Sequence, residues 1–259
     1  MPKVNRGGKR SASQSAFSFQ NAAGTATQQQ VDDMMDDLQN GDVIDYSDYM
    51  KLSDDEKAEA MEEILKQGLP NFLDSSATQK LLYYTDIEGK PDVVSDSALD
   101  KMPGGSIYRT VHDVYNKAQD VNYTAKQIYN QLAKGDYTAV SGSGGSAYGK
   151  GIYFASSYTD STAYRSGRGN NLTMRAKLNG NARVVSYDTA YNGFIKEARS
   201  GSKIGNVYKR LGSADGPSIW ALNHGYNVMK DRYSGYHVVL DRRAITMSTK
   251  TTNSTGSSW

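Results

Sequence analysis

Apolar residues recur with the spacing of an amphipathic helix near the start of the chain. One stripe follows the positions i, i+3, i+4 and i+7 with aspartates opposite, and a second follows a Ser53–Glu56 capping box and ends before Pro70. The first stripe consists of Val31, Met34, Met35 and Leu38, and the second of Met61, Ile64 and Leu65. Such stripes are typical of a docking face, which could pack on the following domain, on another protein or on a second copy of the chain.

Beyond residue 71, short alternating runs and helical stripes are mixed. The alternating runs predict strands at 106–111, 151–155, 172–178, 182–187, 236–241 and 244–248. Helices are predicted after a Thr124–Gln127 capping box, after Asp188 as N-cap, before a stop at Gly212, and after Pro217. The chain is therefore predicted to form a mixed α+β domain.

The composition divides the chain into four parts. Residues 1–30 are rich in Ser, Gln, Gly and Ala and cannot bury enough apolar surface to offset the entropy of ordering, so they are predicted to be a disordered arm. Residues 249–259 are similar and are predicted to be a flexible tail. Between them lie an acidic helical region with a linker, 31–100, and the main domain, 101–248.

Composition also excludes several kinds of site. The chain contains no Cys, so it has neither disulfides nor thiolate metal ligands, and its three histidines are too scattered to indicate zinc. No apolar run approaches the ~20 residues of a membrane span, and the basic N-terminus is not followed by the apolar region of a signal peptide. We expect a metal-free protein that is not secreted and does not bind membranes.

The net charge of +2 conceals a strong asymmetry. Residues 32–63 carry thirteen acidic side chains against two lysines, a net −11, whereas the first ten residues carry +4, which leaves +9 for residues 64–259. A basic body could bind a polyanion such as NAD or a nucleic acid, with the acidic segment as a competitor. The alternative is an acidic helix face that is simply solvated.

The segment from Tyr148 to Tyr164 carries the candidate chemistry. Its sequence is YGKGIYFASSYTDSTAY, in which a glycine turn precedes a short apolar strand. Ser161 and Tyr164 follow Tyr153 by eight and eleven residues. Two tyrosines presented by a strand and by the following helix could enclose a flat ring, and a serine hydroxyl between them could bind an amide on that ring. This arrangement suits nicotinamide and indicates NAD chemistry.

The same region also matches the opening of a phosphate-binding loop. Residues 144–150 fit the pattern G-x-x-x-x-G-K, after which a Ser or Thr should bind Mg²⁺ and begin a helix. Here the next residue is Gly151, and the residues after it alternate like a strand. We therefore reject the nucleotide triphosphatase interpretation.

With these motifs in this order, the chain resembles the ADP-ribosyltransferases. It is most similar to the catalytic domain of the poly(ADP-ribose) polymerase branch, whose signature YGKGIYFAD…S-x-x-Y matches the seventeen residues from Tyr148 to Tyr164 without a gap. A weaker similarity extends over residues 101–248. The resemblance implies a split β-sandwich with flanking helices, with NAD as co-substrate and no metal.

The resemblance also implies roles for individual residues. Tyr153 and Tyr164 would enclose the nicotinamide ring, and Ser161 would bind its carboxamide. In the first strand, Tyr108-Arg109-Thr110 looks like the Tyr-Arg-Gly of the arginine-directed toxin branch, with Thr in place of Gly; Arg109 would bind the pyrophosphate or the ribose, and the backbone of Thr110 the carboxamide. The implied NAD-binding set is Tyr108, Arg109, Thr110, Tyr148, Gly149, Gly151, Tyr153, Ala155, Ser161 and Tyr164.

The chain departs from both branches at a late strand, where a glutamate stabilises the charge that develops as nicotinamide leaves. The matching position falls near Gly235 or Tyr236, so the implied catalytic residues are Arg109, Tyr153 and Tyr236. Asp231 or Asp241 could replace the glutamate in a different register. His237 is expected to be structural, because strand alternation points it away from a site that Tyr236 faces. His112 is also expected to be structural.

These observations predict a mono-ADP-ribosyltransferase that modifies a macromolecule, with a protein favoured over a nucleic acid as acceptor. The first alternative is a catalytically inactive NAD-binding or assembly protein, for example a virion-associated phage protein, in which residues 1–63 could bind an assembly partner. The second is an unrelated nucleic-acid binder. Localisation is expected to be the cytoplasm of a bacterial host or the virion.

Overall fold

The computed structural model describes residues 24–69, 76–87, 89–116, 120–135, 151–163 and 170–255. The helices are α1 (Gln28–Gln39), α2 (Tyr46–Tyr49), α3 (Asp54–Lys66), α4 (Ala77–Tyr84), α5 (Asp96–Lys101), α6 (Ala125–Lys134), α7 (Tyr158–Thr162), α8 (Tyr187–Ala198), α9 (Lys203–Tyr208) and α10 (Gly216–Asn223). The strands are β1 (Asp92–Val94), β2 (Ser106–His112), β3 (Val114–Asn116), β4 (Val121–Tyr123), β5 (Ile152–Phe154), β6 (Asn170–Leu178), β7 (Val184–Ser186), β8 (Val228–Lys230), β9 (His237–Val239) and β10 (Ile245–Thr255).

Within these ranges the strands form two four-stranded sheets and a hairpin of β3 and β4. The first sheet has the order β1-β10-β6-β2, in which β1 is parallel to β10 and the other pairs are antiparallel. The second has the order β5-β9-β8-β7, in which only β7 and β8 are parallel. The fold therefore mixes helices with open sheets, in agreement with the α+β class.

The second sheet is covered on both faces. Val238 and Leu240 belong to a core that includes α1, α3, α4, α8, α9 and α10. Ile152, Phe154 and Val239 belong to a second core, formed with β2, β6, β10 and α6. Because successive residues of a strand point to opposite faces, β5 and β9 contribute to both cores.

The N-terminal helices are part of the main body. Their apolar faces are buried in the first core, and the phenol groups of α2 reach α10: Tyr46 donates to the carbonyl of Leu222 at 2.6 Å and Tyr49 to Oδ1 of Asn223 at 2.8 Å. Of the three partners considered for these stripes, the following domain is the one they contact. The acidic face of α3 is partly paired as well, since Lys203 lies 3.0 Å from Glu59.

Several boundaries differ from the sequence predictions. The N-cap of α8 is Ser186, whose side chain accepts from Thr189, and Asp188 lies in the first turn instead. Helix α9 ends at Tyr208, before Gly212, because the following amides turn back to form i→i+3 bonds. Helix α3 ends at Lys66, and Pro70 lies outside the described residues.

The predicted tail and arm also contain regular structure. Strand β10 runs to Thr255, and its residues 251–255 pair with β6, so this part of the tail is strand; Thr-rich segments favour strands through their branched side chains. Helix α1 begins at Gln28 with Thr27 as N-cap, inside the predicted arm. Strand β1 lies within the predicted acidic region and linker, yet it completes the first sheet.

The described ranges contain no helix that is long and apolar enough to cross a membrane. In the same part of the chain, no three His, Asp or Glu side chains come together in a way that would hold a metal ion.

Candidate functional site

The candidate site lies where the two sheets meet. Tyr108 of β2 and Ala155, which follows β5, exchange both backbone hydrogen bonds, at 2.8 Å from the Tyr108 amide and 2.7 Å from the Ala155 amide. Nη1 of Arg109 donates to the carbonyl of Tyr153 at 3.0 Å. The strand with the Tyr-Arg-Thr sequence is therefore in direct contact with the strand that carries Tyr153.

The backbone of Thr110 faces the edge next to this junction. Because backbone groups alternate along a strand, the N–H and C=O of Thr110 point the same way as those of Tyr108, away from β6. The described backbone pairing between β2 and the β5 segment is an isolated bridge at Ala155, and Thr110 lies past its end. This edge is where the resemblance places the carboxamide of nicotinamide.

Two tyrosine pairs flank the junction. Tyr153 and Tyr236 are half-buried, with ring centroids 6.4 Å apart and planes at 63°. They share a face of the second sheet because Tyr153 is paired with Val238, two residues beyond Tyr236. The arrangement is edge-to-face, which is favourable for two aromatic rings in contact. Tyr236 is thus an aromatic neighbour of Tyr153.

The second pair joins β2 to α7. The rings of Tyr108 and Tyr158 are 6.0 Å apart at 88°, and Tyr158 is 38% exposed. Tyr158 is not among the residues that the sequence motifs single out. Its spacing of three residues before Ser161, which puts the two side chains on one side of a helix, could have indicated it.

Ser161 lies in a buried cluster of hydroxyl groups. It is 1% exposed, and its Oγ donates to the carbonyl of Tyr158 at 2.7 Å. Oγ1 of Thr110 lies 3.3 Å from Ser161 Oγ and 2.8 Å from Oγ1 of Thr173 on β6. In this structure the Ser161 hydroxyl therefore binds protein groups, and a ligand must displace part of its cover to reach it.

The two aspartates considered as replacements for the glutamate both have structural roles. Asp231 is 3% exposed, and its carboxylate accepts hydrogen bonds from the Ser234 hydroxyl and, at 3.1 Å, from the amide of Tyr233. Burial acts to raise the pKa of Asp231, but these hydrogen bonds outweigh burial, so the pKa is lowered. Asp241 is 1% exposed and accepts from Nε of Arg243 at 3.0 Å. Burial raises the pKa of Asp241 in spite of Arg243.

His237 lies on the opposite face of β9 from Tyr236. It is paired with Phe154 of β5 and is buried, and its Nδ1 has no hydrogen-bond partner among the described residues. Burial, together with the charge of Lys230, lowers the pKa of His237 to about 4. The imidazole is therefore neutral at physiological pH.

Two glycines allow the close approach of β5 and β9. A Cβ on Gly151 would lie 2.6 Å from Cγ1 of Val238, so only hydrogen fits there. Gly235, with φ of +71°, turns its carbonyl to accept a hydrogen bond from Ser156. The atoms nearest to such a Cβ belong to Val238, Val239 and Leu240, in β9 and just after it.

Comparison of the chain with protein-family models, with curated proteins and with solved structures gave no match.

The structure therefore brings together Tyr108, Arg109, Thr110, Tyr153, Ala155, Ser161 and Tyr236. Tyr148, Gly149 and Tyr164 lie outside the described residues. Tyr158 and Thr173, which the sequence motifs do not single out, also contact residues of this cluster. The arrangement offers a guanidinium, aromatic faces, a backbone edge and a buried hydroxyl, which together suit a ligand with an anionic part and a flat amide-bearing ring.

Proposed function

We propose that the protein binds NAD at the junction of the two sheets and transfers ADP-ribose to a macromolecular acceptor, as a mono-ADP-ribosyltransferase with a split β-sandwich fold. The contact between β2 and the Tyr153 strand is the observation that supports this most. It places Arg109 and the backbone edge of Thr110 beside Tyr153, and these are residues that the resemblance associates with NAD.

In the proposed reaction the bond between nicotinamide and the ribose C1 breaks, and its electron pair leaves with nicotinamide. A nucleophile of the acceptor forms the new bond to C1 and loses its proton to solvent. Arg109 pairs with the diphosphate through a charge that persists at all relevant pH values. Tyr153 and Tyr236 contact the leaving ring and hold it in a reactive orientation.

Turnover is expected to be slow. In the resembled families a carboxylate faces the ribose, and a preorganised charge of this kind contributes several kcal/mol to stabilising the transition state. Tyr236 stands near that position and offers a neutral phenol. The favoured acceptor is a protein side chain.

A second candidate function is NAD binding without turnover. It is favoured by the structural roles of Asp231 and Asp241, whose carboxylates are both buried and hydrogen-bonded within the protein. Such a protein could serve in an assembly such as a virion. The apolar faces of α1 and α3 are buried against the body, so an assembly role would use other surfaces.

Two measurements on the full chain separate these functions: calorimetric binding of NAD, and release of nicotinamide with and without bacterial lysate. The test variants are Arg109→Ala and Tyr153→Ala. Matched controls are Arg199→Ala and Tyr191→Ala, which change exposed residues at the end of α8 and on α8.

Release that requires lysate and is lost in both test variants but in neither control would support the transferase. Release without lysate would instead indicate an NAD hydrolase. Binding without release would support the second candidate. Absence of NAD binding in the wild type would overturn both functions.

A further inference from the structure

We infer that a groove between α8 and α9 binds a small amphipathic anion, a medium-chain fatty acid whose alkyl chain lies in the groove and whose carboxylate lies at its rim. The groove has a volume of about 360 Å³. Volumes of roughly 300–1,000 Å³ are typical of small-molecule sites. Neither helix contributes a residue to the junction of the two sheets, so this inference goes beyond the proposed function and does not depend on it.

The floor of the groove is apolar and comes from both helices. Helix α8 supplies Phe194, Ile195 and Ala198, the end of α9 supplies Tyr208, and Leu211 follows it. Phe194 and Tyr208 are buried in the first core with ring centroids 5.9 Å apart. Ile195 and Leu211 pack against that core but are only partly buried. They therefore keep apolar surface that an alkyl chain can remove from water.

Two glycines fix the shape of this floor. A Cβ on Gly216 would lie 2.3 Å from Cζ of Phe194, so the ring packs directly on the backbone at the start of α10. A Cβ on Gly205 would lie 2.3 Å from the carbonyl oxygen of Glu197, so α9 approaches α8 at close range. The groove is thus built from tightly packed backbone. A site formed in advance avoids part of the cost of ordering on binding.

Two exposed cations stand at the rim. Arg199 is the C-cap of α8 and Lys209 the C-cap of α9. In the part of the chain that the structure describes, neither side chain forms an ion pair with a carboxylate, and Lys209 donates to the neutral Asn206 at 3.1 Å. Lys203, at the start of α9, instead lies 3.0 Å from Glu59 of α3. The acidic α3 therefore pairs with cations on its own side and leaves those at the rim to a ligand.

The helix ends at the groove act against an anion, but the two cations outweigh them. Helices α8 and α9 both end here, and the C-terminus of a helix carries about −0.5 elementary charge. The two ends together carry about −1, against the two full positive charges of Arg199 and Lys209. The net charge of the rim stays positive, which favours a ligand with one anionic group.

The groove is too short for a helical peptide. From Phe194 to Arg199, α8 advances about 8 Å at 1.5 Å per residue. A peptide helix in a groove binds through anchors at i, i+3, i+4 and i+7, which extend over about 10 Å. A short alkyl chain with one acidic head group fits both the length of the groove and the charge of its rim.

The test is titration of the full chain with octanoate, followed by nuclear magnetic resonance of the methyl groups of Ile195, Ala198 and Leu211. We expect these signals to shift together and to give one dissociation constant. Octanol and octylammonium should bind more weakly, because they lack the negative charge. Hexanoate should bind about threefold to fifteenfold more weakly than octanoate, because it buries two fewer methylene groups.

Three variants locate the two parts of the site. Lys209→Ala should weaken octanoate binding by about twofold to fivefold, the effect of one exposed ion pair, and should leave octanol binding unchanged. Lys196→Ala is the matched control, since this exposed lysine lies on α8 but not at the rim, and it should keep the wild-type affinity. Ser213→Trp, at the exposed end of the groove, should fill it and abolish the shifts.

The inference is overturned if octanol binds as tightly as octanoate, if Lys209→Ala keeps the wild-type affinity for octanoate, or if only signals outside the groove shift. It is also overturned if the wild type self-associates in sedimentation and Ser213→Trp abolishes the association. A second copy of the chain would then occupy the groove.

Discussion

Two histidines have pKa values that are shifted in opposite directions by their surroundings. His237 is buried between the strands that carry Phe154 and Lys230, and its pKa is lowered to about 4 by burial and by the charge of Lys230. His224 is partly exposed, with Nε2 3.0 Å from the Glu197 carboxylate. Burial acts to lower the pKa of His224, but the hydrogen bond and charge of Glu197 outweigh it and raise the pKa.

We expect His237 to make the free energy of unfolding fall as the pH decreases from about 6.5 to about 4. In this range the unfolded chain binds a proton that the folded chain excludes, so acid favours unfolding. The full effect is at most about 3 kcal/mol. Urea denaturation at a series of pH values should show a flatter profile for His237→Gln than for wild type.

His224→Gln is the control for this experiment. Because the pKa of His224 is raised in the folded state, its contribution is complete below the unfolded value of 6.5 and is lost as the pH rises through the folded value. The difference in the free energy of unfolding between wild type and this variant should therefore be constant below pH 6.5 and shrink as the pH rises above it. Equal slopes for wild type and His237→Gln at acid pH would contradict the prediction.

At the scale of elements, the contact between β5 and β9 depends on the absence of a side chain at Gly151. We expect Gly151→Ala to lower the free energy of unfolding by about 1–3 kcal/mol, because the added methyl group would overpack against Val238. Thermal and urea unfolding measure the loss. Gly180→Ala is the matched control, since a Cβ there meets nothing within 4 Å, and its effect should stay within about 0.5 kcal/mol. Equal stability of the two variants would refute this account of the contact.

Features set by neighbouring residues were predictable from the sequence. The Ser53–Glu56 and Thr124–Gln127 capping boxes are both present, because a cap joins residues three apart. The end of β10 was not predictable in the same way. Its Ser and Thr residues resemble those of a disordered tail, and only the pairing with β6 makes them a strand.

The site was predictable only where its residues are close together in the sequence. The segment motif identified Tyr153 and Ser161, and the strand motif Arg109. The contacts of Thr110 with Ser161 and Thr173 span 51 and 63 residues, and periodicity gives no information about which strands become neighbours. The residues that depend on sheet order, above all Thr173, therefore required the structure.

At the scale of the whole molecule, the N-terminal helices and the second sheet share one apolar core. Tyr49 is fully buried and donates to Asn223, which in turn donates from Nδ2 to the phenol of Tyr208 at 2.9 Å. This network connects α2, α9 and α10. Independent unfolding of the helical region would require breaking that core.

We therefore expect one unfolding transition, with tryptophan fluorescence and far-ultraviolet circular dichroism coinciding. Tyr49→Phe should lower the free energy of unfolding by about 1–3 kcal/mol, because it leaves Oδ1 of Asn223 without its donor, and should keep the single transition. Tyr191→Phe, on an exposed tyrosine, is the control. Two separate transitions would show that the helical region is a domain of its own.

The parallel strand β1 has a practical consequence for anyone who divides this chain. A fragment cut to residues 101–248 would lose β1 and also residues 251–255 of β10. Residues 246–248 of β10 and residues 170–174 of β6 would then lose their strand partners and present unsatisfied amides and carbonyls, the kind of surface on which polypeptides stack into aggregates. An expressible unit must therefore begin before Asp92 and continue through Thr255.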